Sequence, residues 1–226
     1  MSRATLTLLP LARYRHVFLV PSMRVYEAKR LFSRHPRLSR LPILSPEKKY
    51  LASLSRRALI RKSPDIPIQE LSWENIKPLP LYATIYDALQ QMEHYKSPEI
   101  PIVDEEDRYV GTVTTDSLVR WWSHLAAVQE RGSVLILETY LRDYSLAEIA
   151  QILESDDVRI LSAYLLRHDT DLQKTYIVLK VNTIFLTRVI ELLERRNYKC
   201  IAIYGDLLME KHAREQLQAL LRYLDL

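Results

Sequence analysis

A four-residue pattern that occurs twice constrains the whole chain: Leu41-Pro42-Ile43-Leu44 returns 59 residues later as Ile100-Pro101-Ile102-Val103. The same offset carries Tyr50-Leu51-Ala52-Ser53-Leu54-Ser55 onto Tyr109-Val110-Gly111-Thr112-Val113-Thr114, and it holds through Leu59 and Leu118 to Arg61 and Arg120. Upstream the offset becomes 60, aligning Val25-Tyr26-Glu27-Ala28 with Ile85-Tyr86-Asp87-Ala88. Apolar, small and polar positions agree over both stretches, so the first half of the chain is a duplication of one small unit.

Each copy reads as helix, strand, strand, helix. Val25, Ala28, Leu31 and Phe32 recur at helical spacing, as do Ile85, Ala88, Leu89 and Met92. Strands follow around residues 41–44 and 50–54, then 100–103 and 109–113. The polar segments Ser45-Pro46-Glu47-Lys48-Lys49 and Asp104-Glu105-Glu106-Asp107-Arg108 suit hairpin loops. Residues 55–61 and 115–127 are expected to be helical again, with Asp116 at the start of the second, its carboxylate accepting from free backbone N–H groups. Two prolines in Lys62-Ser63-Pro64-Asp65-Ile66-Pro67 suit a linker. The expected organisation is a first repeat over 1–61, a linker over 62–76 and a second repeat over 77–127.

This tandem, with apolar-Pro-apolar-apolar, a hairpin, and Tyr109-Val110-Gly111-Thr112-Val113-Thr114 before a helix, resembles a cystathionine-β-synthase (CBS) domain pair over residues 14 to 127. The resemblance implies an α/β fold of two β-α-β-β-α-like repeats packed through their sheets, with clefts that in the family often hold adenosine nucleotides. It implies a ligand-binding set of Leu41, Ser55, Ala58, Ile100, Thr114, Asp116 and Ser117. The family places Gly, then Ser or Thr, then a ribose-binding Asp at intervals of three residues. Here those positions are Ala52, Ser55 and Ala58 in the first repeat, and Gly111, Thr114 and Ser117 in the second, with Asp116 one place early. A carboxylate grips a vicinal diol better than a methyl or hydroxyl, so the departures imply weak or altered nucleotide binding.

Beyond Glu130-Arg131-Gly132 the pattern changes. Strands are expected at Ser133–Thr139, Val158–Leu166, Thr175–Val181 and Lys199–Tyr204, with helices from Ser145 to about Glu154 and up to about Arg196. That order is β-α-β-β-α-β, the ferredoxin-like arrangement. Ser145-Leu146-Ala147-Glu148-Ile149-Ala150 followed by Val158-Arg159-Ile160-Leu161-Ser162-Ala163-Tyr164 resembles an ACT domain over residues 132–205. The family's Asp-x-Pro-Gly ligand turn aligns with Leu141-Arg142-Asp143-Tyr144, which puts a tyrosine where glycine lets a ligand approach. Residues 206–226, with Leu208, Leu217, Leu220, Leu221 and Leu224, are expected to form a C-terminal amphipathic helix. CBS repeats followed by an ACT-like domain resemble acetoin-utilisation regulatory proteins, an architectural likeness that supplies a class and no pathway.

Charge is distributed unevenly. Residues 1–62 hold fifteen Lys and Arg against Glu27 and Glu47, a net of +13, while the remainder is −9. The basic part suits either an anionic ligand or nucleic acid, or packing against an acidic partner. No metal-ligand spacing, P-loop, G-x-S-x-G or H-E-x-x-H occurs, and three glycines in 226 residues rule out a glycine-rich phosphate loop. No catalytic, metal or cofactor residues are therefore assigned. His168-Asp169-Thr170-Asp171 reads as a solvated turn, and Trp73, Trp121 and Trp122 read as packing residues. The single Cys200 forms no internal disulfide and reads as a buried strand residue. Apolar runs are interrupted well before the length of a membrane span, and the chain reads as soluble and cytoplasmic. The expected function is that of a non-enzymatic, homodimeric or larger regulator that takes an adenine nucleotide weakly and acts on an unidentified target protein. The alternatives are a basic nucleic-acid-binding protein, ranked below it for want of a known motif, and a structural adaptor with empty clefts.

Overall fold

The computed structural model describes residues 8–205. The chain divides into two compact units, Met1–Trp122 and Ser123–Leu226. The expected C-terminal helix over 206–226 lies outside the described residues.

In the first unit, α1 (Val25–Arg34) is followed by β1 (Arg40–Leu44) and β2 (Tyr50–Ser55). The second copy repeats this as β3 (Leu79–Pro80), α2 (Ile85–Tyr95), β4 (Glu99–Val103), β5 (Tyr109–Thr114) and α3 (Thr115–Trp122). The duplication extends to backbone detail. β1 and β2 pair antiparallel with a register shift at Ile43/Leu44, and β4 and β5 do so with one at Ile102/Val103. Leu79 pairs parallel to Ile102, and Leu19 makes a single parallel bridge to Ile43. Lys48 and Asp107, equivalent residues of the two hairpins, both have φ of 62°. The hairpins then clasp each other: Tyr50 N–H donates to the Asp107 carbonyl at 3.1 Å, and Tyr109 N–H to the Lys48 carbonyl at 2.9 Å.

Each repeat has its own core, and each core borrows from elsewhere in the chain. Leu19, Phe32, Leu41, Ile43 and Leu54 fill the first, and Ile85, Ile100, Ile102 and Val113 fill the second. Leu8 and Leu11, from the N-terminal end, pack into the second core. Ile66, Ile68, Leu71 and Trp73, from the stretch between the repeats, pack into or against the first. The two connecting segments are held alike: Arg13 bridges Thr112, and Glu74 bridges Ser53. Gly111 is needed at one of these crossings, since a Cβ there would lie 2.9 Å from the Arg13 carbonyl oxygen.

Helix ends account for the departures from the sequence pattern. The helix expected over 55–61 is a single 3-10 turn, Arg56–Leu59, because Ile60 returns to extended backbone and Arg61 has φ of 60°. The second expected helix ends at Trp122, and α4 (Ala126–Gln129) is a separate short element. Asp116 does not cap α3. Thr114 does, its Oγ1 accepting from Ser117 N–H at 3.2 Å, while Ser117 Oγ accepts from Thr114 N–H at 3.1 Å.

The second unit contains β6 (Ser133–Tyr140), α5 (Leu146–Glu154), β7 (Ile160–Arg167), β8 (Lys174–Val181), α6 (Thr187–Glu194) and β9 (Lys199–Tyr204). They form one antiparallel sheet in the order β7-β8-β6-β9, which is the ferredoxin-like order. Alternation along β6 and β8 sends Leu135, Leu137, Ile177 and Leu179 into a core with Ile149, Leu153, Val189 and Leu193 of the helices. The alternate residues, including Ile136 and Val178, lie on the opposite face. Gly132 enters the sheet with φ of 147°, where a Cβ would meet the Val181 carbonyl oxygen at 1.8 Å. Cys200 is half-buried against the helix-side core, and burial pushes its thiol pKa up.

Candidate functional site

The proposed ligand residues separate into three groups. Leu41 and Ile100 are fully buried, one in each repeat's core. Ser55 and Ala58 stay together at the 3-10 turn, where Ser55 Oγ accepts from Ala58 N–H at 3.3 Å. Thr114, Asp116 and Ser117 sit at the β5–α3 junction. Ser117 is 3% exposed and its Oγ also donates to the Thr114 carbonyl, so it faces away from solvent.

Thr114 and Asp116 open onto a cavity of about 310 Å³ lined also by Tyr14, Arg37, Leu38, Pro98, Glu99 and Thr115. Every element in it has a local cause. The turn after β5 presents Thr114 and Asp116, the loop after α1 presents Arg37, and Tyr14 holds φ of 58° beside the segment that crosses to Thr112. Asp116 is ion-paired to Arg120 at 2.5 Å and to Arg37 at 3.6 Å, with its side chain half exposed. Glu99 forms the floor. It is 4% exposed, and its two carboxylate oxygens accept from Ser39 N–H and Ser39 Oγ–H, each at 2.7 Å. Burial pushes the Glu99 pKa up, against the pull of the Ser39 bonds and of Arg40 and Arg56.

The equivalent place in the first repeat is differently furnished. Arg40, the counterpart of Glu99, donates from Nε to Glu74 Oε2 at 2.6 Å. Burial raises the Glu74 pKa, but the bonds from Arg40 and Ser55 outweigh it and hold the carboxyl below its ordinary range. The polar groups of that cleft are committed to one another; those of the second are paired too, Asp116 with Arg120 and Arg37 and Glu99 with Ser39, and they line an open cavity. Arg37 can meet an anion there, Asp116 a diol and the Tyr14 ring a flat base.

Sequence reading missed a cluster in the second unit. His168 is not a solvated residue. Its side chain is 11% exposed, its ring lies 4.7 Å from that of Tyr176, and its Nε2 donates to Glu138 at 3.1 Å. Its Nδ1 accepts from Thr170 N–H and Asp171 N–H, which fixes the tautomer. Lys174 donates to the other Glu138 oxygen at 3.0 Å, and Lys174 and His168 together lower the Glu138 pKa against burial. Only strand pairing brings Glu138, His168 and Lys174 together, so no local spacing announces them. Among the described residues no group of three His, Cys, Asp or Glu is placed to hold a metal ion. No helix among them is long and apolar enough to cross a membrane.

A family model described as CBS domain matches residues 68–124, the second repeat together with the segment leading into it. The chain is 29% identical over 108 residues to an inosine-5'-monophosphate dehydrogenase of Aquifex aeolicus, covering 46% of this chain and 22% of that enzyme. It is 27% identical over 99 residues to the enzyme of that name from Halalkalibacterium halodurans, covering 43% and 20%. The chain thus spans about a fifth of the length of these curated relatives. The CBS domains of a transcriptional regulator from Streptococcus pneumoniae are similar at 23% identity and a TM-score of 0.47, covering 50% of this chain and 97% of that one. The first unit is accordingly a tandem of like repeats, the second of which matches the CBS model.

Proposed function

We propose that this chain is a regulatory module that acts by binding and not by catalysis, taking an adenine nucleotide in the cleft of its second repeat. The observation that carries this reading is the open cavity bounded by Tyr14, Arg37, Thr114 and Asp116, the last two of which lie inside the span that matches the CBS family. In this arrangement Arg37 meets phosphate, Asp116 turns from its arginines to the ribose hydroxyls, and Tyr14 stacks on the base. The first cleft, where Arg40 is paired with Glu74, stays empty. Because Asp116 must exchange existing ion pairs for the ligand, affinity is modest, with a Kd of about 10 μM or weaker.

The second unit, on this reading, is an ACT-like module that mediates self-association. Tyr144 packs against its core at the position where the ACT family has its ligand-turn glycine, which argues against an amino-acid ligand there. Calorimetry with AMP, ATP and S-adenosylmethionine tests the proposal. Binding should appear with at least one of them and weaken about tenfold in Asp116→Ala and in Arg37→Ala. Absence of heat and of any melting shift at millimolar nucleotide would leave the structural adaptor with empty clefts, which the Arg40–Glu74 pair in the first cleft favours. Light scattering at micromolar concentration tests the self-association, and a monomer would remove that part.

A further inference from the structure

We propose that the exposed face formed by α1 and the 3-10 turn of the first repeat binds the sugar–phosphate backbone of a nucleic acid strand. Six cations are exposed there: Lys29, Arg30 and Arg34 on α1, and Arg57, Arg61 and Lys62 on and after the turn. The two segments form one surface, since Lys29 Nζ donates to the Lys62 carbonyl at 3.3 Å. None of the six is ion-paired among the described residues. Tyr26 and Ile60, 51% and 62% exposed, lie in the same two segments.

The duplication supplies an internal control. At the equivalent positions the second repeat has Leu89, Gln90 and His94 on α2, then Asp116, Arg120 and Trp121. It builds α2, the counterpart of α1, with no Lys or Arg at the three helix positions, so that helix does not require them. They also oppose it. Arg30 and Arg34 are like charges four apart on a helix, and Arg57 and Arg61 stand where the second repeat has the Asp116–Arg120 ion pair. A destabilising arrangement that the helix can do without points to an anionic partner.

The first unit of a second copy fits this face poorly, because its acids are largely engaged already. Asp65 pairs with Arg24, Glu74 with Arg40, Glu93 with Lys96, Asp104 and Glu106 with Arg108, and Asp116 with Arg37 and Arg120. Asp87 caps α2, and Glu99 is buried against Ser39. Four of the six cations are arginines, whose planar forks match phosphate, and an exposed tyrosine beside them offers a stacking surface for a base.

The test is fluorescence anisotropy of a labelled 20-nucleotide single strand, as DNA and as RNA, with the full chain at several salt concentrations. Neutralising about six phosphates gives a log–log salt slope near −4, which is a loss of affinity of roughly 300-fold between 50 and 200 mM salt. The variant is Arg30→Gln with Arg34→His, residues that the second repeat carries on the equivalent helix, together with Arg57→Asp, the residue at the aligned position in α3. It should flatten the slope by about 2 and weaken binding at least tenfold at low salt, with its tryptophan-detected unfolding midpoint unchanged or raised. Failure of both strands to bind at 50 mM salt would overturn the proposal. So would an affinity indifferent to the triple substitution, or a triple variant that instead loses self-association, which would assign the face to a second copy.

Discussion

Arg56→Ala should destabilise the first unit by about 2 kcal/mol through the end of α1. Arg56 Nη2 lies 2.9 to 3.2 Å from the carbonyls of Phe32, His35, Pro36 and Leu38, and its Cζ lies 5.1 Å from the centre of the Phe32 ring. Carbonyls at a helix C-terminus lack partners within the helix, so the guanidinium both satisfies them and faces the negative end of the dipole. One NH2 group has two hydrogens, so four acceptors amount to two full bonds shared among them. At about 1 kcal/mol for each, plus about 0.5 for the dipole and 0.5 for the ring, the sum is about 3 kcal/mol, and partial solvent exposure brings it to about 2. All three tryptophans lie in the first unit, so urea unfolding followed by tryptophan fluorescence reads this unit. Arg56→Lys should recover less than half of the loss, because a point charge keeps the dipole attraction and forfeits the fork. Thr115, at the equivalent position, makes only a 3.4 Å bond from its hydroxyl to the Pro98 carbonyl besides a 3.8 Å contact with Met92 sulfur, so Thr115→Ala should cost less than about 0.5 kcal/mol. A loss below about 0.5 kcal/mol for Arg56→Ala, or one no larger than that of Thr115→Ala, would refute the reasoning.

Three further outcomes are expected. Because the Glu99 pKa is raised in the folded state, its contribution is fully present below the unfolded carboxylate value of about 4.3 and is lost as pH rises through the folded value. Glu99→Gln should therefore gain stability relative to the native protein as pH increases above about 4, and a difference independent of pH in urea midpoints would contradict this. Tyr198, 1% exposed, donates to Glu148 at 2.9 Å and accepts from Ser145 N–H at 3.2 Å, so Tyr198→Phe should cost the second unit about 1–3 kcal/mol, read by hydrogen exchange of β9 and α5. Gly132→Ala should lower exchange protection along β6 and β8, since its Cβ would overlap the Val181 carbonyl, and unchanged protection would show that this end of the two central strands can yield.

The order of elements was legible because its signals are local. The pattern Leu41-Pro42-Ile43-Leu44 and its copy sit on β1 and β4, and the second unit follows the β-α-β-β-α-β order read from periodicity. Positions 59 or 60 apart were forced into equivalence by duplication, down to the left-handed residues Lys48 and Asp107. The open cavity was legible in part, through Thr114 and Asp116. How each cleft is furnished was decided by partners distant in the chain: Glu74 reaches Arg40 from 34 residues away in the first, while Glu99 reaches Ser39 from 60 away and floors the second. The same holds for Leu8 and Leu11 in the second core, for Ile68 in the first, and for Glu138 beside His168. A periodicity reports which face of an element is apolar, and a cap or turn residue reports where it ends. Neither reports what that face or end will meet, because apolar contact is non-directional and a charge has many candidate partners until packing selects one.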